Sequence, residues 1–598
     1  MTATTLIEMF QNTVKAHGSK TALMSKVAGQ YQGFSYQEFG ERVRNFALGL
    51  ASLGVKKGDR ISLLSENRPE WAISDLAILS LGAINVPIYP SLVPRQIEYI
   101  LNDSEARIII ISTPDQVSKV IQILSDLPVL KYIIYVDPLQ STTKNMVSFS
   151  QVSQKGQEFE IKNPDYYEKA TSKVAPDDPC GIIYTSGTTG DPKGAILTHS
   201  NILSNVKGGT AVLKIGPEDT FLSFLPLCHV FERMAGHFCA LSVGATIAYA
   251  ESIDTVAQNL GEVKPTIMTS VPRLFEKMYT RILENAAAGG AFKKNLFDWA
   301  IKIGEKHVAA QKKNKVSALL KFKHKLAAKL VYHKLHERYG GRLRFFVSGG
   351  APLPKEIGEF FYCAGIKILE GYGLTESSPV IAVNLEEKFK FGTVGTVLSA
   401  GGVEVKIADD GEILTRGPHV MKGYYKKPAE TKEVIDEENW LHTGDIGFLD
   451  EDGYLVITDR KKNIIVTSGG KNIAPAPIEN TMLTSPLIEQ IMIIGDRRKF
   501  LSALIVPNFE MIQSYADEQG IGFNNNDDLV QNPKIIQYLA NEIERLSTNL
   551  ARFEQIKAFR LLPRLFTIEE GELTPTLKIK RKVVENKYVE LIESMYVE

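Results

Sequence analysis

The sequence predicts an α/β fold: a large N-terminal domain of layered, mostly parallel sheets with helices, and a small mobile α+β C-terminal domain. At 598 residues the chain is too long for one hydrophobic core. Apolar strands alternate with amphipathic helices over the first 175 residues, as parallel sheets require. Near Asp459 the pattern changes to short strands and helices, enough for a separate domain. We therefore expect domains at 1–459 and 460–598.

The helices and strands follow from the spacing of apolar residues. Helical spacing of Phe39, Val43, Phe46 and Leu50 predicts a helix at 36–53. Short apolar runs predict buried strands. Along the chain we expect strands at 60–64, 106–111, 181–184, 195–198, 245–250, 266–269, 343–347, 366–369, 454–457, 490–494 and 502–506, and further helices at 71–81 and 535–552.

Composition excludes several classes of protein. Apolar residues make up 44% and charged residues 23%, as in soluble globular proteins. Lys plus Arg and Asp plus Glu both number 69, so no net charge favours nucleic acid. The four cysteines have no metal-binding or C-x-x-C spacing, which predicts buried free thiols in a reducing compartment. With no signal peptide and no long uncharged run, we expect a cytoplasmic protein or one bound to a membrane face.

A basic helical insertion is expected at about 282–340. From 291 to 340 thirteen basic residues stand against three acidic ones, a net charge of +10. Leu319, Phe322, Leu326 and Leu330 recur at helical spacing among the lysines. One interpretation is a solvated pair of surface helices. The other is a basic amphipathic helix lying on an anionic membrane, on its inner face.

A glycine-rich loop at 184–194 is the first candidate for a binding site. It holds three glycines, four serine and threonine hydroxyls, and Lys193 between two apolar strands. Glycine lets backbone N–H groups approach phosphate oxygens closely. The spacing Gly187-x-x-Gly190-x-x-Lys193 differs from the Walker A loop, which opens a helix. The sequence therefore predicts a phosphate loop of another kind.

Two stretches follow predicted strands, where open α/β sheets bind ligands. In the first, 348–352, Gly350 and Ala351 belong to a run of small residues whose alternative interpretation is a tight turn. In the second, 371–377, Tyr372 between two glycines could present a flat face to a purine. There Glu376 beside Thr375 suits a hard cation with phosphates, although a helix N-terminus is the alternative.

Two later stretches add candidate groups. Asp445 follows a Thr-Gly pair that we expect to form a turn, from which its carboxylate can take both hydroxyls of a ribose; a plain turn residue is the alternative. The stretch 573–581 is rich in lysine near the C-terminus. A solvated face is the ordinary interpretation, but a lysine on a small mobile domain could reach a reacting phosphate.

These stretches, in this order, resemble the AMP-forming adenylating superfamily of acyl-CoA synthetases, luciferases and peptide-synthetase adenylation domains. The resemblance covers roughly residues 20–590. Within the superfamily the chain is similar to long-chain fatty acyl-CoA synthetases, on the segments 225–233 and 467–475 and on the basic insertion before Leu343.

The resemblance implies ATP, Mg²⁺ and CoA as cofactor and co-substrates, and a fatty acid as substrate. In it Glu376 and Thr188 would hold the metal, Thr375 the α-phosphate, and Asp445 with Arg460 the ribose and phosphates. Lys578 would be catalytic, His229 would position the adenylate, and Asp459 would be the hinge of the small domain. The remaining nucleotide and CoA contacts would come from Thr185, Ser186, Gly187, Thr188, Thr189, Gly190, Lys193, Gly350, Ala351, Tyr372, Gly373, Gly469, Gly470 and Lys471.

Several alternatives stay open. Many members of the superfamily have glycine before the catalytic lysine, whereas Leu577 stands there in this chain, so Lys580 is a rival to Lys578. His229 could be a packed core histidine beside Cys228. The chain could also be a fatty acyl-AMP ligase that stops at the adenylate, or a silent lipid-binding homologue. The preferred acyl chain length and the oligomeric state cannot be read from the sequence.

Overall fold

The computed structural model describes residues 3–143, 145–185, 191–312, 315–468, 471–548, 550–574 and 578–597. It confirms the predicted fold class: a large N-terminal α/β domain is followed by a smaller C-terminal domain of mixed helices and strands.

The first large sheet has eight strands, of which the central ones are parallel. The hairpin strand Pro179–Thr185 runs parallel to Ile84–Ile88 on one side and antiparallel to Lys193–Thr198 on the other. This edge of the sheet therefore carries both ends of the glycine-rich loop. In spatial order the strands are Gly423–Tyr424, Lys193–Thr198, Pro179–Thr185, Ile84–Ile88, Arg60–Leu64, Ile108–Ile111, Tyr132–Tyr135 and Met146–Ser148.

The second large sheet has nine strands, and its five central pairings are parallel. Ser348 pairs with Glu370, so the segments that follow these two residues leave the sheet at the same carboxyl edge. In spatial order the strands are Thr396–Val397, Val380–Val383, Lys367–Gly373, Phe345–Ser348, Ile267–Ser270, Thr220–Ser223, Thr246–Tyr249, Thr21–Val27 and Gln30–Ser35.

A third sheet of four antiparallel strands corrects two local predictions. Its strands are Glu404–Ile407, Glu412–Arg416, Leu441–Leu449 and Leu455–Arg460. The Thr-Gly pair before Asp445 does not form a turn, because cross-strand pairing carries the chain through it; Gly444 takes a φ of +71° within the strand. The strand predicted at 454–457 continues to Arg460, since Asp459 and Arg460 pair with Ile446 and Asp445.

The helices of the large domain cover both large sheets. Tyr36–Ser52 confirms the predicted helix: Ser35 and Glu38 form a capping box, and Phe39, Val43, Phe46 and Leu50 are buried. The others are Leu6–His17, Pro69–Ser80, Pro94–Ser104, Pro114–Gln122, Phe149–Lys162, Tyr166–Thr171, His199–Leu213, Cys239–Val243, Val256–Val263, Lys355–Cys363 and Pro428–Val434, with 3₁₀ turns at Leu124–Asp126, Thr375–Ser377, Ser399–Gly401 and Lys461–Asn463 and a π-helix at Glu232–Phe238.

The basic insertion is helical, as predicted. It follows Pro272–Ala288 and consists of Ala291–Lys312, Ala318–Ala327, a π-helical turn at Ala328–Tyr332 and His333–Arg338. Ala300, Ala327 and Tyr332 are buried between these helices and the helix Lys355–Cys363.

The small domain has its own hydrophobic core. Strands Ile488–Ile494, Leu501–Pro507 and Ile556–Leu561 form a sheet, and Ile465–Val466 pairs with Asn472–Ile473. Its helices are Pro475–Met482, Phe509–Glu518, Asn526–Gln531, Pro533–Ser547, Arg581–Lys587 and Val589–Glu593. The helix predicted at 535–552 therefore ends earlier, at Ser547.

The predicted burial of the cysteines is confirmed. Cys180, Cys228, Cys239 and Cys363 are all buried, and their thiols are not joined in disulfides. Burial raises the pKa of the Cys180 and Cys239 thiols to about 12. Across the described ranges, no helix combines the length and the apolar character needed to cross a membrane.

Candidate active site

The ends of the glycine-rich loop are held by an antiparallel hairpin. Thr185 pairs with Lys193 across it, and the Thr185 hydroxyl donates to the Lys193 carbonyl at 3.4 Å. The predicted phosphate-binding residues Ser186, Gly187, Thr188, Thr189 and Gly190 lie outside the described residues. What the structure establishes is that strands flank this loop on both sides.

Tyr424 joins the hairpin to Glu376. The strand Gly423–Tyr424 pairs with the second hairpin strand, and the Lys193 ammonium lies 5.3 Å from the centre of the Tyr424 ring. The Tyr424 hydroxyl donates to Glu376 Oε1 at 2.8 Å. Burial and the neighbouring carboxylate raise the pKa of Tyr424. Sequence reasoning missed this residue; the aromatic pair at 424–425 between lysines is the signal that could have suggested it.

Glu376 is held at the carboxyl edge of the second sheet. It lies in the short 3₁₀ helix that Thr375 begins, and its backbone carbonyl accepts a bond of 2.8 Å from the Met421 N–H. Just before it, a Cβ on Gly373 would lie 1.7 Å from the Pro379 carbonyl oxygen. Only glycine fits at that position, because the backbone at Pro379 passes directly against it.

Tyr372, Asp445 and Arg460 form a hydrogen-bonded row. The Tyr372 hydroxyl donates to Asp445 Oδ2 at 2.7 Å, and Arg460 Nε donates to Oδ1 at 3.0 Å. Asp445 is buried. Burial and this carboxylate raise the pKa of Tyr372 far above its usual range. The exposed Gly350 and Ala351 lie at the same sheet edge as Tyr372.

Lys578 of the small domain reaches this group. Lys578 is exposed as a whole residue. The protein packed around its ammonium nevertheless desolvates this group and lowers the pKa of Lys578 to about 8. The Arg460 cation lowers this pKa further, while the carboxylates of Asp445 and Glu376 oppose the shift. The rival Lys580 instead precedes the helix Arg581–Lys587, and its N–H donates to the Glu572 carbonyl at 2.8 Å.

His229 also lies within the electrostatic reach of Lys578. Burial and the Lys578 ammonium lower the pKa of His229 to about 4, so its imidazole is neutral at physiological pH. Its Nδ1 accepts the Phe231 N–H at 3.2 Å, and the Tyr89 ring meets it edge-on at 6.3 Å between centres. The histidine is therefore packed, as one alternative expected, yet it also faces the predicted catalytic lysine.

A narrow apolar cavity of about 30 Å³ lies between the second sheet and the π-helix that follows His229. Phe231, Met234 and Val380 line it, and Thr269 adds a hydroxyl. The other lining residues come from distant parts of the sequence: Gly209, Leu213, Ile215, Phe221, Ala235, Cys239, Ile267, Val347, Val383 and Leu398. Its lining is almost entirely apolar, which favours an apolar ligand.

Asp459 links the two domains. Its Oδ2 accepts the Ala476 N–H at 3.0 Å, at the first turn of the helix Pro475–Met482, where a carboxylate is favoured. Lys471 is not brought to the nucleotide group; its ammonium lies 5.8 Å from the centre of the Phe553 ring in the small domain. Gly469 and Gly470 lie outside the described residues.

A metal would have to rely on few protein ligands. Among the described residues, His, Cys, Asp and Glu do not form any group of three suited to a metal ion. Glu376 offers a carboxylate that Tyr424 ties to the hairpin flanking the loop. That donor set fits Mg²⁺, which commonly takes one or two carboxylates together with substrate phosphates and water.

The chain matches two known family profiles and has curated relatives. The profile described as AMP-binding enzyme matches residues 10–425, and that of the AMP-binding enzyme C-terminal domain matches 462–598. The chain is 38% identical, over 95% of its length and 93% of the relative's, to a long-chain-fatty-acid–CoA ligase of Mycobacterium bovis. It is 34% identical, over 95% of its length and 82% of the relative's, to the peroxisomal long chain acyl-CoA synthetase 6 of Arabidopsis thaliana.

Solved structures share the fold. The adenylation domain of a carboxylate reductase from Mycobacterium chelonae matches with a TM-score of 0.76 at 22% identity, over 99% of this chain and 91% of that one. An anthranilate CoA ligase in complex with anthranoyl-AMP matches with a TM-score of 0.73 at 20% identity, over 99% of this chain and 98% of that one.

Proposed function

This chain belongs to the AMP-binding enzyme family, and from that premise we propose that it is a long-chain-fatty-acid–CoA ligase. The enzyme activates a fatty acid with ATP to an acyl-adenylate and pyrophosphate, then transfers the acyl group to CoA and releases AMP. The observation that carries this proposal is the approach of Lys578 to Glu376, Asp445 and His229 beside an apolar cavity.

Adenylate formation joins two anions, the fatty carboxylate and the α-phosphate, so neutralising charge is the main task of the site. Lys578, with a pKa of about 8, is mostly protonated at neutral pH and can bridge the two. Lys193 and the loop before it would hold the leaving pyrophosphate. Neutral His229, next to the cavity-lining Phe231, would place the carboxylate without adding charge.

The nucleotide contacts follow from the row of bonded side chains. Asp445 would accept both ribose hydroxyls, and Arg460, already bound to it, would lie against the ribose or phosphates. Tyr372 and the exposed Gly350 and Ala351 would face the adenine. Mg²⁺ would be held by Glu376, with Thr188 as a second predicted ligand, and would neutralise phosphate charge when bound.

Thioester formation requires a second arrangement of the small domain. We infer that it rotates about Asp459, which withdraws Lys578 and brings the segment 467–475 to the site for CoA. The position of Lys471 against Phe553, outside the nucleotide group, supports this inference. Asp459→Pro should slow thioester formation from supplied acyl-adenylate more than adenylation, because proline fixes φ at the pivot. Equal slowing in stopped-flow assays of both half-reactions would contradict the hinge.

Pyrophosphate release with palmitate, ATP and Mg²⁺, measured with and without CoA, tests the function. A ligase forms palmitoyl-CoA and turns over repeatedly only when CoA is present. A fatty acyl-AMP ligase would accumulate the adenylate and form no thioester. A silent lipid-binding homologue would bind palmitate without releasing pyrophosphate.

We also propose that the enzyme is cytoplasmic and binds the inner face of a membrane through the basic segment 291–340. Leu319, Phe322, Leu326 and Leu330 share one face of the segment and are 63%, 65%, 40% and 40% exposed. Lysines 321, 323, 325 and 329 surround this face. Exposed apolar side chains with flanking cations are typical of helices that bind anionic lipid.

Sedimentation with vesicles of phosphatidylcholine, with or without phosphatidylglycerol, tests this contact. We expect binding only to the anionic vesicles, weakened by salt and by Leu319→Ser with Phe322→Ser. Ile161→Ser is the matched control, since Ile161 is 83% exposed on another helix. If all three proteins bind equally, or none binds, the basic insertion is a solvated surface.

A further inference from the structure

Glu232 is a buried acid that the proposed mechanism does not use. It begins the π-helix Glu232–Phe238 and is 0% exposed. Within the part of the chain that the structure describes, no lysine or arginine forms an ion pair with it; its neighbour Arg233 is bound to Asp75. Burying a carboxyl group without a cation is unfavourable, so its presence beside the cavity needs a reason.

Two hydroxyl groups hold this carboxyl. Ser223 Oγ donates to Glu232 Oε1 at 2.6 Å, and Thr269 Oγ1 donates to Oε2. The two donors end neighbouring parallel strands of the second sheet. The carboxyl folds back over its own helix, where a Cβ on Gly236 would lie 2.4 Å from Oε1. The absence of a side chain at Gly236 therefore makes this arrangement possible.

One of these bonds leads to the acyl cavity. Thr269 lines the cavity, and so do Phe231 and Met234, which flank Glu232 in the sequence. Fixing the Thr269 side chain against Glu232 therefore fixes part of the cavity wall and the helix that faces it.

The other bond leads to the loop that carries His229. Ser223 Oγ accepts a bond of 3.1 Å from Asn67 Nδ2. Asn67 also donates to the Leu225 carbonyl at 2.7 Å and accepts the Leu227 N–H at 2.9 Å, so it clamps the backbone immediately before His229. Glu232 is thus the point where the cavity wall and the His229 loop are tied together.

We propose that Glu232 is a positioning residue for acyl binding, which holds the cavity wall and the His229 loop in the single arrangement that accepts the fatty acid. The inference rests on the proposed ligase function. An ionised carboxylate accepts from both hydroxyls at once. A protonated one donates to one of them, which reverses that bond, removes its charge assistance and so weakens the hold on either the wall or the loop.

The protonation state of this group changes near neutral pH. Burial raises the pKa of Glu232 to about 7, and the two hydroxyl donors oppose the shift. Of the groups around it, Tyr249 on the next strand has a raised pKa and stays neutral, His237 on its own helix has a pKa lowered to about 4, and Arg233 stays paired with Asp75. Glu70 and Asp75 act on the same Tyr249 from the helix Pro69–Ser80.

The test compares wild type with Glu232→Gln, which keeps the size but accepts from only one hydroxyl. Steady-state assays use decanoate, whose carboxyl group is ionised on both sides of about pH 7. We expect the wild-type KM for decanoate to rise as pH falls through about 7. Glu232→Gln should show an about fivefold to tenfold higher KM at every pH, with the KM for ATP unchanged.

Two further variants keep the acid and disturb its bonds. In Gly236→Ala the added methyl group displaces the Glu232 carboxyl from its two donors. Thr269→Val removes one donor at nearly constant side-chain volume. Both variants should raise the KM for decanoate. Asp219→Asn is the control, because this buried carboxylate bonds Thr266 at the opposite ends of the same strands. It should lower Tm and leave the KM unchanged.

If Glu232→Gln lowers only Tm and keeps the wild-type KM and pH profile, the carboxyl is merely structural and the inference is wrong. A wild-type enzyme that forms no acyl-CoA would instead overturn the proposed function.

Discussion

The groups that the large domain contributes to the site are fixed by strand pairing and buried hydrogen bonds, whereas the small domain contributes Lys578, which lies outside the helices and strands of that domain. Asp445 lies within a nine-residue strand and bonds both Tyr372 and Arg460. Lys578 stands beside an isolated bridge between Leu573 and Ile579. In the function we propose, the first half of the site stays fixed and the second is withdrawn.

Polar contacts join the two domains in the described part of the chain. Asp459 bonds the Ala476 N–H, and Arg273 forms an ion pair with Glu489 and donates to its carbonyl at 3.1 Å. Such contacts can break and re-form without exposing a hydrophobic core. The difference suggests that the rigid half defines which substrates bind, and the movable half decides which of two reactions occurs.

Removing the movable charge should give the largest effect. Lys578→Ala is expected to slow adenylate formation by about a hundredfold to a thousandfold, the usual loss for one preorganised donor. Thioester formation from supplied palmitoyl-adenylate should change little. Rapid-quench assays of each half-reaction measure both, with Lys580→Ala as the matched control. Equal losses in the two half-reactions, or a larger loss in the control, would remove Lys578 from its role.

Removing a fixed charge should be less damaging. Lys193→Ala is expected to slow adenylation by about tenfold to a hundredfold, because the loop hydroxyls and backbone would still hold the pyrophosphate. The thioester step should be spared, since pyrophosphate has left by then. Pyrophosphate exchange into ATP reports the effect. A loss confined to the thioester step would contradict the assignment of this loop to the phosphates.

Loosening one bond within the rigid half should matter less again. Tyr424→Phe removes the 2.8 Å bond to Glu376 but keeps the ring beside Lys193. A hydrogen bond to a charged group contributes about 1.5 kcal/mol or somewhat more, so adenylation should fall about tenfold. The Mg²⁺ concentration for half-maximal rate should rise with it. An unchanged Mg²⁺ requirement would show that this tyrosine does not position Glu376.

The smallest effect is a pH dependence that belongs to the movable half. A lysine with a lowered pKa carries its charge below that pKa and loses it above. The kcat/KM of adenylation should therefore fall as pH rises through about 8, the pKa of Lys578 in the free enzyme. In Lys578→Arg any remaining activity should persist to higher pH, because guanidinium stays charged. If kcat/KM falls at the same pH in both proteins, the group that titrates is not Lys578.

Local patterns in the sequence predicted part of the framework. Apolar runs located eight of the seventeen strands that the structure describes in the two large sheets, and the loop at 184–194 was expected between two strands, where the structure has a hairpin. The turn predicted before Asp445 is wrong, because polar residues and a glycine that look like a turn are held in a strand by distant partners. Cross-strand pairing of that kind leaves no local signal.

Features built from distant segments could not be predicted. The cavity takes its wall from four strands and three helical segments, and its shape depends on how they pack. The bonds of Tyr424 and Glu232 join residues that lie 48 and 37 positions away. Side-chain chemistry suggests what such residues can bind, but only the folded chain determines which partner is within reach.

The four buried cysteines have a consequence for an enzyme that makes a reactive acyl-adenylate. Any accessible thiolate in the protein would compete with CoA and become acylated itself. Here burial keeps the thiols protonated, including that of Cys239, which lines the cavity where the acyl chain would lie. The fold thereby protects the enzyme from self-acylation and leaves the incoming CoA as the thiol nucleophile.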